Sequence, residues 1–251
     1  MSAASLKVGV VVFPGSNCDR DAGAAWGTDL ALGEAVYLWH TETALPADLG
    51  AVIVPGGFSY GDALRAGAIA RFAPIMGAVA RFAEGGGLVL GICNGFQVLC
   101  EAGLLPGALV RNEKMRFVGR HVHLRVETAD SPFTSRYEPG AVISVPVAHG
   151  EGRYVCDEAT HADLVARDAV LFRYVNAQGV VSPDADPNGS RDAIAGIVGG
   201  PSRNVLGMMP HPERAVLARL GSEGGADLFR SVRDSLVIAH AVANPTMLLA
   251  A

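Results

Sequence analysis

Cys93 is the residue best placed to do chemistry. It sits in Gly91-Ile-Cys93-Asn-Gly95-Phe-Gln97, directly after the apolar run Gly87-Leu-Val-Leu. A buried strand that ends in G-x-C-x-G and opens into a helix is the nucleophile-elbow pattern with sulfur in place of oxygen. Glycine two residues either side of the nucleophile removes the Cβ atoms that would clash where strand and helix pack closely. The same turn puts the thiol at a helix N-terminus, where unpaired N–H groups and the helix dipole favour thiolate over thiol. Most cysteines are simply small core residues, but that role needs none of these flanking glycines.

A thiolate that attacks an amide carbonyl requires a base to manage protons, a group to orient that base, and donors for the developing oxyanion. Elbow enzymes use the N–H after the nucleophile, here Asn94, plus an N–H from a loop after a neighbouring strand. Gly56-Gly57-Phe58-Ser59-Tyr60-Gly61-Asp62 is the natural supplier, because paired glycines let backbone approach a substrate closely. The base has two candidates, His149-Gly-Glu151 and His211-Pro-Glu213. In extended backbone, residues two apart point the same way, so each glutamate can orient its own histidine. Pro212 holds His211 away from helical geometry, and His211 follows the apolar run Val205 to Met209 directly. Spacing therefore places His211 ahead of His149 without deciding between them. His40, His121, His123, His161 and His240 lack any such pattern.

These groups need a scaffold, and the first hundred residues alternate between strand and helix patterns. Lys7 to Phe13, Glu34 to Trp39, Ala51 to Val54 and Leu88 to Ile92 read as strands; Cys18 to Leu32 and Ala63 to Ala83 read as helices. Continuous apolar strands joined by helices imply a parallel sheet covered on both faces, with ligands at the carboxyl ends of its strands. Gly56-Gly57 and Cys93 both fall at such ends. From Arg111 the texture changes to short strands between turns: Phe117 to Glu127, Ala141 to Val147, Val170 to Tyr174, Ala193 to Val198 and Asn204 to Met208. A last helix is predicted after Gly221-Ser222, capped by Ser222 and running to about Ala241. With no internal repeat or linker, the prediction is a single α/β domain over residues 1–251. It has a mostly parallel, helix-flanked sheet carrying the elbow and an antiparallel excursion in the second half.

Composition narrows the class. Half of the 251 residues are apolar, enough for a large core and against disorder. The net charge of −5 is spread along the chain, with no basic patch for nucleic acid. Cys18, Cys93, Cys100 and Cys156 form no C-x-x-C pair and no metal-ligand spacing, so no metal is expected and a reducing compartment fits. The N-terminus lacks a basic segment before its short apolar run, so no signal peptide is expected. The C-terminal apolar stretch is broken by His240, Asn244 and Pro245, below membrane-spanning length. Together these predict a cytoplasmic protein. No phosphate-binding G-x-x-x-x-G-K-[ST] loop is present, so no nucleotide is expected on this chain.

The elbow, Pro55-Gly-Gly-Phe-Ser-Tyr-Gly-Asp62, Met209-Pro-His-Pro-Glu-Arg214 and Val11-Val-Phe-Pro-Gly-Ser-Asn-Cys-Asp-Arg-Asp21 together resemble the class I (triad) glutamine amidotransferases. Gly56 to Ala70, Ala148-His-Gly-Glu-Gly-Arg153 and Asp186-Pro-Asn-Gly-Ser-Arg-Asp-Ala-Ile-Ala-Gly-Ile197 narrow the likeness to the glutaminase subunits of phosphoribosylformylglycinamidine synthase. The likeness runs from residue 8 to about 214, with Asp186 standing where the family pattern has asparagine. It implies that Cys93 attacks the side-chain amide of glutamine to give a thioester, with His211 as base and acid and Glu213 as its orienter. It implies glutamine contacts from the backbone of Gly57 and Phe58, from Gln97, and from backbone near His149 and Gly150, leaving His149 a pocket residue. The ammonia released would pass to a large synthetase subunit that uses ATP and Mg²⁺ to make formylglycinamidine ribonucleotide in purine synthesis, often with a third small subunit. Two other activities fit the elbow: glutaminase for a different synthetase, and a cysteine hydrolase of broader range.

Overall fold

The computed structural model describes residues 6–243; residues 1–5 and 244–251, and with them Asn244 and Pro245, lie outside the described residues. Eleven strands and five α-helices are found there. In chain order they are β1 (Lys7–Val12), α1 (Asp19–Ala24), β2 (Glu34–Trp39), β3 (Leu49–Val54), α2 (Pro74–Glu84), β4 (Leu88–Ile92) and α3 (Asn94–Glu101). There follow β5 (Ala108–Val110), β6 (Val118–Val126), β7 (Val142–His149), β8 (Arg153–Val155), α4 (Glu158–Ala166), β9 (Val170–Val175), β10 (Ile194–Gly199), β11 (Val205–Met208) and α5 (Ala226–Ala243). Nine strands form one sheet in the order β2-β1-β3-β4-β11-β10-β9-β6-β7, and β5 pairs with β8 apart from it.

The sheet changes character at β11. From β2 to β11 every pairing is parallel; from β11 to β7 every pairing is antiparallel. This is the α/β sheet with an antiparallel second half that the apolar runs predict. β4 is buried at all five residues, as a central strand covered on both faces must be. Its register aligns three chain exits: Val54 of β3 lies opposite Gly91, and Met208 of β11 opposite Ile92. The segments leaving these strands are Pro55-Gly56-Gly57, Cys93 and Met209-Pro210-His211, so the sheet delivers loop, nucleophile and histidine to one edge. Packing keeps the elbow helix on this sheet: a Cβ on Gly207 would come within 2.1 Å of the Phe96 ring, so only glycine in β11 lets α3 approach so closely.

Three predicted elements differ. The helix expected over Ala63 to Ala83 begins only at Pro74, and a short 3₁₀ turn covers Ala70–Phe72. Leu64 (φ +70°) and Gly67 (φ +79°) lie in the left-handed region, which interrupts helical geometry despite the apolar spacing. The C-terminal helix starts at Ala226 rather than after Ser222, whose hydroxyl instead donates to the Ser144 carbonyl and accepts the Gly224 N–H. The first helix is α only to Ala24 and continues as a π-turn over Ala25–Asp29. Neither Asn17 nor Asp19 caps it: Cys18 holds the N-cap position without a side-chain bond. α4 was not predicted, because Leu164 is its one buried residue and no apolar stripe announces it, although Asp157 caps it through the Thr160 N–H at 2.8 Å. No helix among the described residues is long and apolar enough to cross a membrane.

Candidate active site

The elbow is strained where the pattern demands. Cys93 has φ +51° and ψ −106°, a conformation that costs a non-glycine residue roughly 1–3 kcal/mol and survives only when its surroundings enforce it. The two glycines explain how. A Cβ on Gly95 would sit 1.8 Å from the Val54 carbonyl oxygen, and one on Gly91 2.9 Å from the Gly95 carbonyl carbon and 2.5 Å from Leu99. Strand and helix therefore meet at backbone distance, and Cys93 caps α3 with its thiol at the helix N-terminus.

Beside the thiol lies a cavity of about 290 Å³, bounded by Gly57, Phe58, Cys93, Gln97, His149 and Gly150 among others. Every residue predicted to contact substrate is thus on its wall except Asn94, which is buried beneath. The Asn94 carboxamide ties the elbow to the glycine loop: its oxygen accepts the Ser59 N–H at 3.1 Å, and its NH₂ donates to Asp62 and Gln97. Gln97 in turn donates to the Glu151 carbonyl. The loop is further pinned by a 2.7 Å bond between the Tyr60 hydroxyl and His40 Nδ1. It carries left-handed backbone at Tyr60, Asp62 and Leu64 as well as at Gly57 and Gly61, a concentration of strain of the kind that marks functional loops. Of the two N–H groups expected from this loop, Phe58 donates to the Gly15 carbonyl at 3.2 Å, which leaves Gly57 as the free donor. Phe58 can offer substrate its ring, which is 49% exposed.

The two histidines have opposite environments. His149 is buried, and its Nδ1 faces Asn112 Oδ1 at 3.1 Å. Asn112 Nδ2 donates to the Arg116 and His149 carbonyls, which fixes Oδ1 as the acceptor and puts the proton on His149 Nδ1. Burial and the charge of His211 push His149 down to about 4, so it stays neutral with its ring already engaged. His211, 2% exposed, donates from Nδ1 to Glu213 Oε1 at 2.6 Å. Burial opposes charge on His211, but the Glu213 carboxylate and the neighbouring Cys93 and Cys18 sulfurs outweigh it and hold the imidazole well above its usual value. Its Nε2 is buried with no partner, the atom left for proton transfer. A Cβ on Gly56 would lie 2.8 Å from His211 Cε1, 3.2 Å from Cys18 Sγ and 3.4 Å from Cys93 Cβ, so three side chains converge on a gap that only glycine leaves open.

Taken together, a strained thiol, a buried charged histidine and two free N–H groups suit acyl transfer from an amide. Residues 5–223 match the CobB/CobQ-like glutamine amidotransferase domain. The chain belongs to that family. Among curated amidotransferase relatives, the phosphoribosylformylglycinamidine synthase subunit PurQ of Salinibacter ruber is 56% identical over 94% of this chain and 100% of its own length. That of Rhodospirillum rubrum is 57% identical over 92% and 100%. The solved structure of PurLQS from Thermotoga maritima superposes with a TM-score of 0.81 at 44% identity, covering 92% of this amidotransferase and 99% of the matched chain. A GMP synthase subunit-like protein of Thermoplasma acidophilum shares the fold at 15% identity, with a TM-score of 0.61.

Three neighbours of the amidotransferase site were not foreseen. Cys18, from the start of α1, lies with His211 and Glu213 in a buried group whose ligand-type atoms are within 4.8 Å of one another. Its sulfur accepts from Arg214 Nη2 at 3.1 Å, so a guanidinium already supplies positive charge there. Asn112 and Asn188 hold His149 from both sides. Buried asparagine gives no spacing signal; the Asn188 motif was visible in sequence but its role was not.

Proposed function

We propose that this chain is the glutaminase subunit of a phosphoribosylformylglycinamidine synthase, releasing ammonia from glutamine for a partner synthetase in purine synthesis. The observation that carries the chemistry is the Cys93 thiol at a strained elbow beside the buried, charged His211–Glu213 pair. Cys93 attacks the glutamine side-chain carbonyl as a thiolate, its proton held on His211, and the new oxyanion lies against the N–H groups of Gly57 and Asn94. His211 gives its Nε2 proton to the departing nitrogen, the C–N bond breaks, and ammonia leaves a glutamyl thioester. His211 then takes a proton from water, which attacks the thioester; the C–S bond breaks, glutamate is released, and the thiolate beside charged His211 is restored. Glu213 holds the imidazole in the tautomer that leaves Nε2 free for these transfers. Gln97 and the backbone near His149 and Gly150 shape the glutamine pocket.

Ammonia released into water near neutral pH would be protonated and lost, so the design requires a docked consumer. That consumer is the large synthetase subunit, which carries the ATP and Mg²⁺, together with a third small subunit; the complex works in the cytoplasm. The test is Cys93→Ala in the reconstituted complex. Glutamine-dependent synthesis disappears while synthesis supported by added ammonium persists; continued turnover on glutamine would overturn the assignment.

A further inference from the structure

Four charged side chains line the cavity beside Cys93: Asp62, Glu151, Arg111 and Arg116. Two of them answer each other, with Arg111 Nε 3.6 Å from Glu151 Oε1. The other two are left over. The side chain of Asp62 has the Asn94 amide, at 3.2 Å, as its hydrogen-bond partner, and no cation pairs with it. Burial and the nearby Glu151 push its carboxyl up to about 6, as befits an anion without a counter-charge. The Arg116 guanidinium makes no ion pair or hydrogen bond among the described residues. Yet its backbone is fixed to the pocket wall, because its carbonyl accepts from Asn112 Nδ2 at 2.8 Å, the amide that also holds His149.

One cavity thus presents one unpaired anion and one unpaired cation on fixed backbone, a short distance from the nucleophile. A ligand that satisfies both carries a positive and a negative group beyond its reacting amide. We propose that Asp62 and Arg116 recognise the α-ammonium and α-carboxylate of the substrate, with Asp62 the residue that restricts the site to amides bearing a free α-amino group. This rests on the glutaminase reading above. A carboxamide acid without the amino group leaves the half-buried Asp62 without a counter-charge beside Glu151, and covering such an unmet charge rejects a ligand more strongly than a missing contact does. Asp62 also bonds to Asn94, the residue that follows the nucleophile, so ammonium recognition and elbow geometry share one side chain.

The test compares L-glutamine with its des-amino analogue, 4-carbamoylbutanoate, in the reconstituted synthetase complex. Wild type discriminates against the analogue by about ten- to hundredfold in kcat/KM, the worth of one charge-assisted hydrogen bond. Asp62→Asn, which keeps the side-chain shape, loses about that factor on glutamine and almost nothing more on the analogue, so discrimination collapses. Arg116→Ala raises KM for both substrates alike, since both carry the carboxylate. Equal losses on both substrates in Asp62→Asn would show a merely structural role and overturn the proposal. So would wild-type discrimination of less than about threefold, a measurement that needs no variant to fold. An unchanged KM in Arg116→Ala would remove its carboxylate half. Failure of the glutaminase reading looks different: the wild-type complex then forms no glutamate from glutamine at all.

Discussion

The side-chain oxygen of Asn94 accepts the backbone N–H of Ser59 at 3.1 Å, joining two segments 35 residues apart. One segment holds Cys93 and the other the free N–H of Gly57, so this bond sets the spacing of the two N–H groups proposed to hold the oxyanion. Its importance follows from what the loop lacks. With left-handed backbone at several non-glycine residues, the loop is not at its own conformational minimum and must be held from outside.

Asn94→Ala removes that brace together with the bonds to Asp62 and Gln97. Fold stability is expected to fall by about 2 kcal/mol, the cost of leaving buried partners unmet. Glutamine turnover is expected to fall about a hundredfold, in kcat more than in KM, because a displaced oxyanion donor is missed most in the transition state. Steady-state kinetics beside a thermal melt checks both; a rise in KM alone with kcat intact would contradict the bracing role.

Gly56→Ala isolates the convergence of three side chains. The added methyl would meet His211 Cε1 at 2.8 Å, together with Cys18 Sγ and Cys93 Cβ, all of them side-chain atoms. The fold should survive by small shifts of these groups, but the pairing of thiol and imidazole should not. Activity is expected to fall about a hundredfold, since roughly 1 Å of misplacement costs that much, with a melting temperature within a few degrees of wild type. A variant that melts normally and hydrolyses glutamine normally would mean that the gap is not needed.

The sheet was legible in sequence because burial writes continuous apolar runs: β4, buried at all five residues, occupies the residues its run marks, and β2 does so although only Leu38 in it is buried. The elbow was legible because its glycines answer to backbone clashes, which composition cannot hide. Apolar spacing failed over residues 63–73, where left-handed Leu64 and Gly67 override it. The choice between His149 and His211 was not legible from spacing. It depends on burial and the charge of His211 keeping the His149 ring neutral, with Asn112 engaging its Nδ1 from 37 residues away, none of which the matching His-x-Glu spacings reveal. Cys18 beside His211 is hidden for the same reason, being drawn there from nearly the opposite end of the sequence.

Stability should respond to acid through two opposed groups. His149 has its folded pKa depressed to about 4 from 6.5. Both states are neutral above 6.5, so its contribution is fully present there. Between 6.5 and 4 the unfolded chain binds the proton and the folded one does not, so stability is lost as pH falls, by about 3 kcal/mol in total. Asp62 is raised to about 6 from 3.8, so over that window the folded chain binds the proton first and regains stability as pH falls. Denaturant titrations between pH 4 and 7 should give a shallower acid loss in His149→Asn and a steeper one in Asp62→Asn. The same slope in wild type and both variants would show that neither group titrates in this way.

Glu213→Gln tests the orienting role directly. The buried carboxylate accepts the Nδ1–H of His211 at 2.6 Å and is the leading group that keeps the imidazole charged against the cost of burial. An amide there keeps the volume but can offer an N–H, which favours the tautomer with Nε2 protonated and Nδ1 bare. Turnover on glutamine is expected to drop on the order of a thousandfold, in line with losing the orienting carboxylate of other nucleophile–histidine–acid sites. The histidine titration should move to lower pH, because removing the carboxylate leaves burial to dominate. The pH dependence of Cys93 alkylation by a neutral reagent reads this shift without needing turnover. An alkylation profile that stays in place while turnover falls would reduce Glu213 to a packing residue.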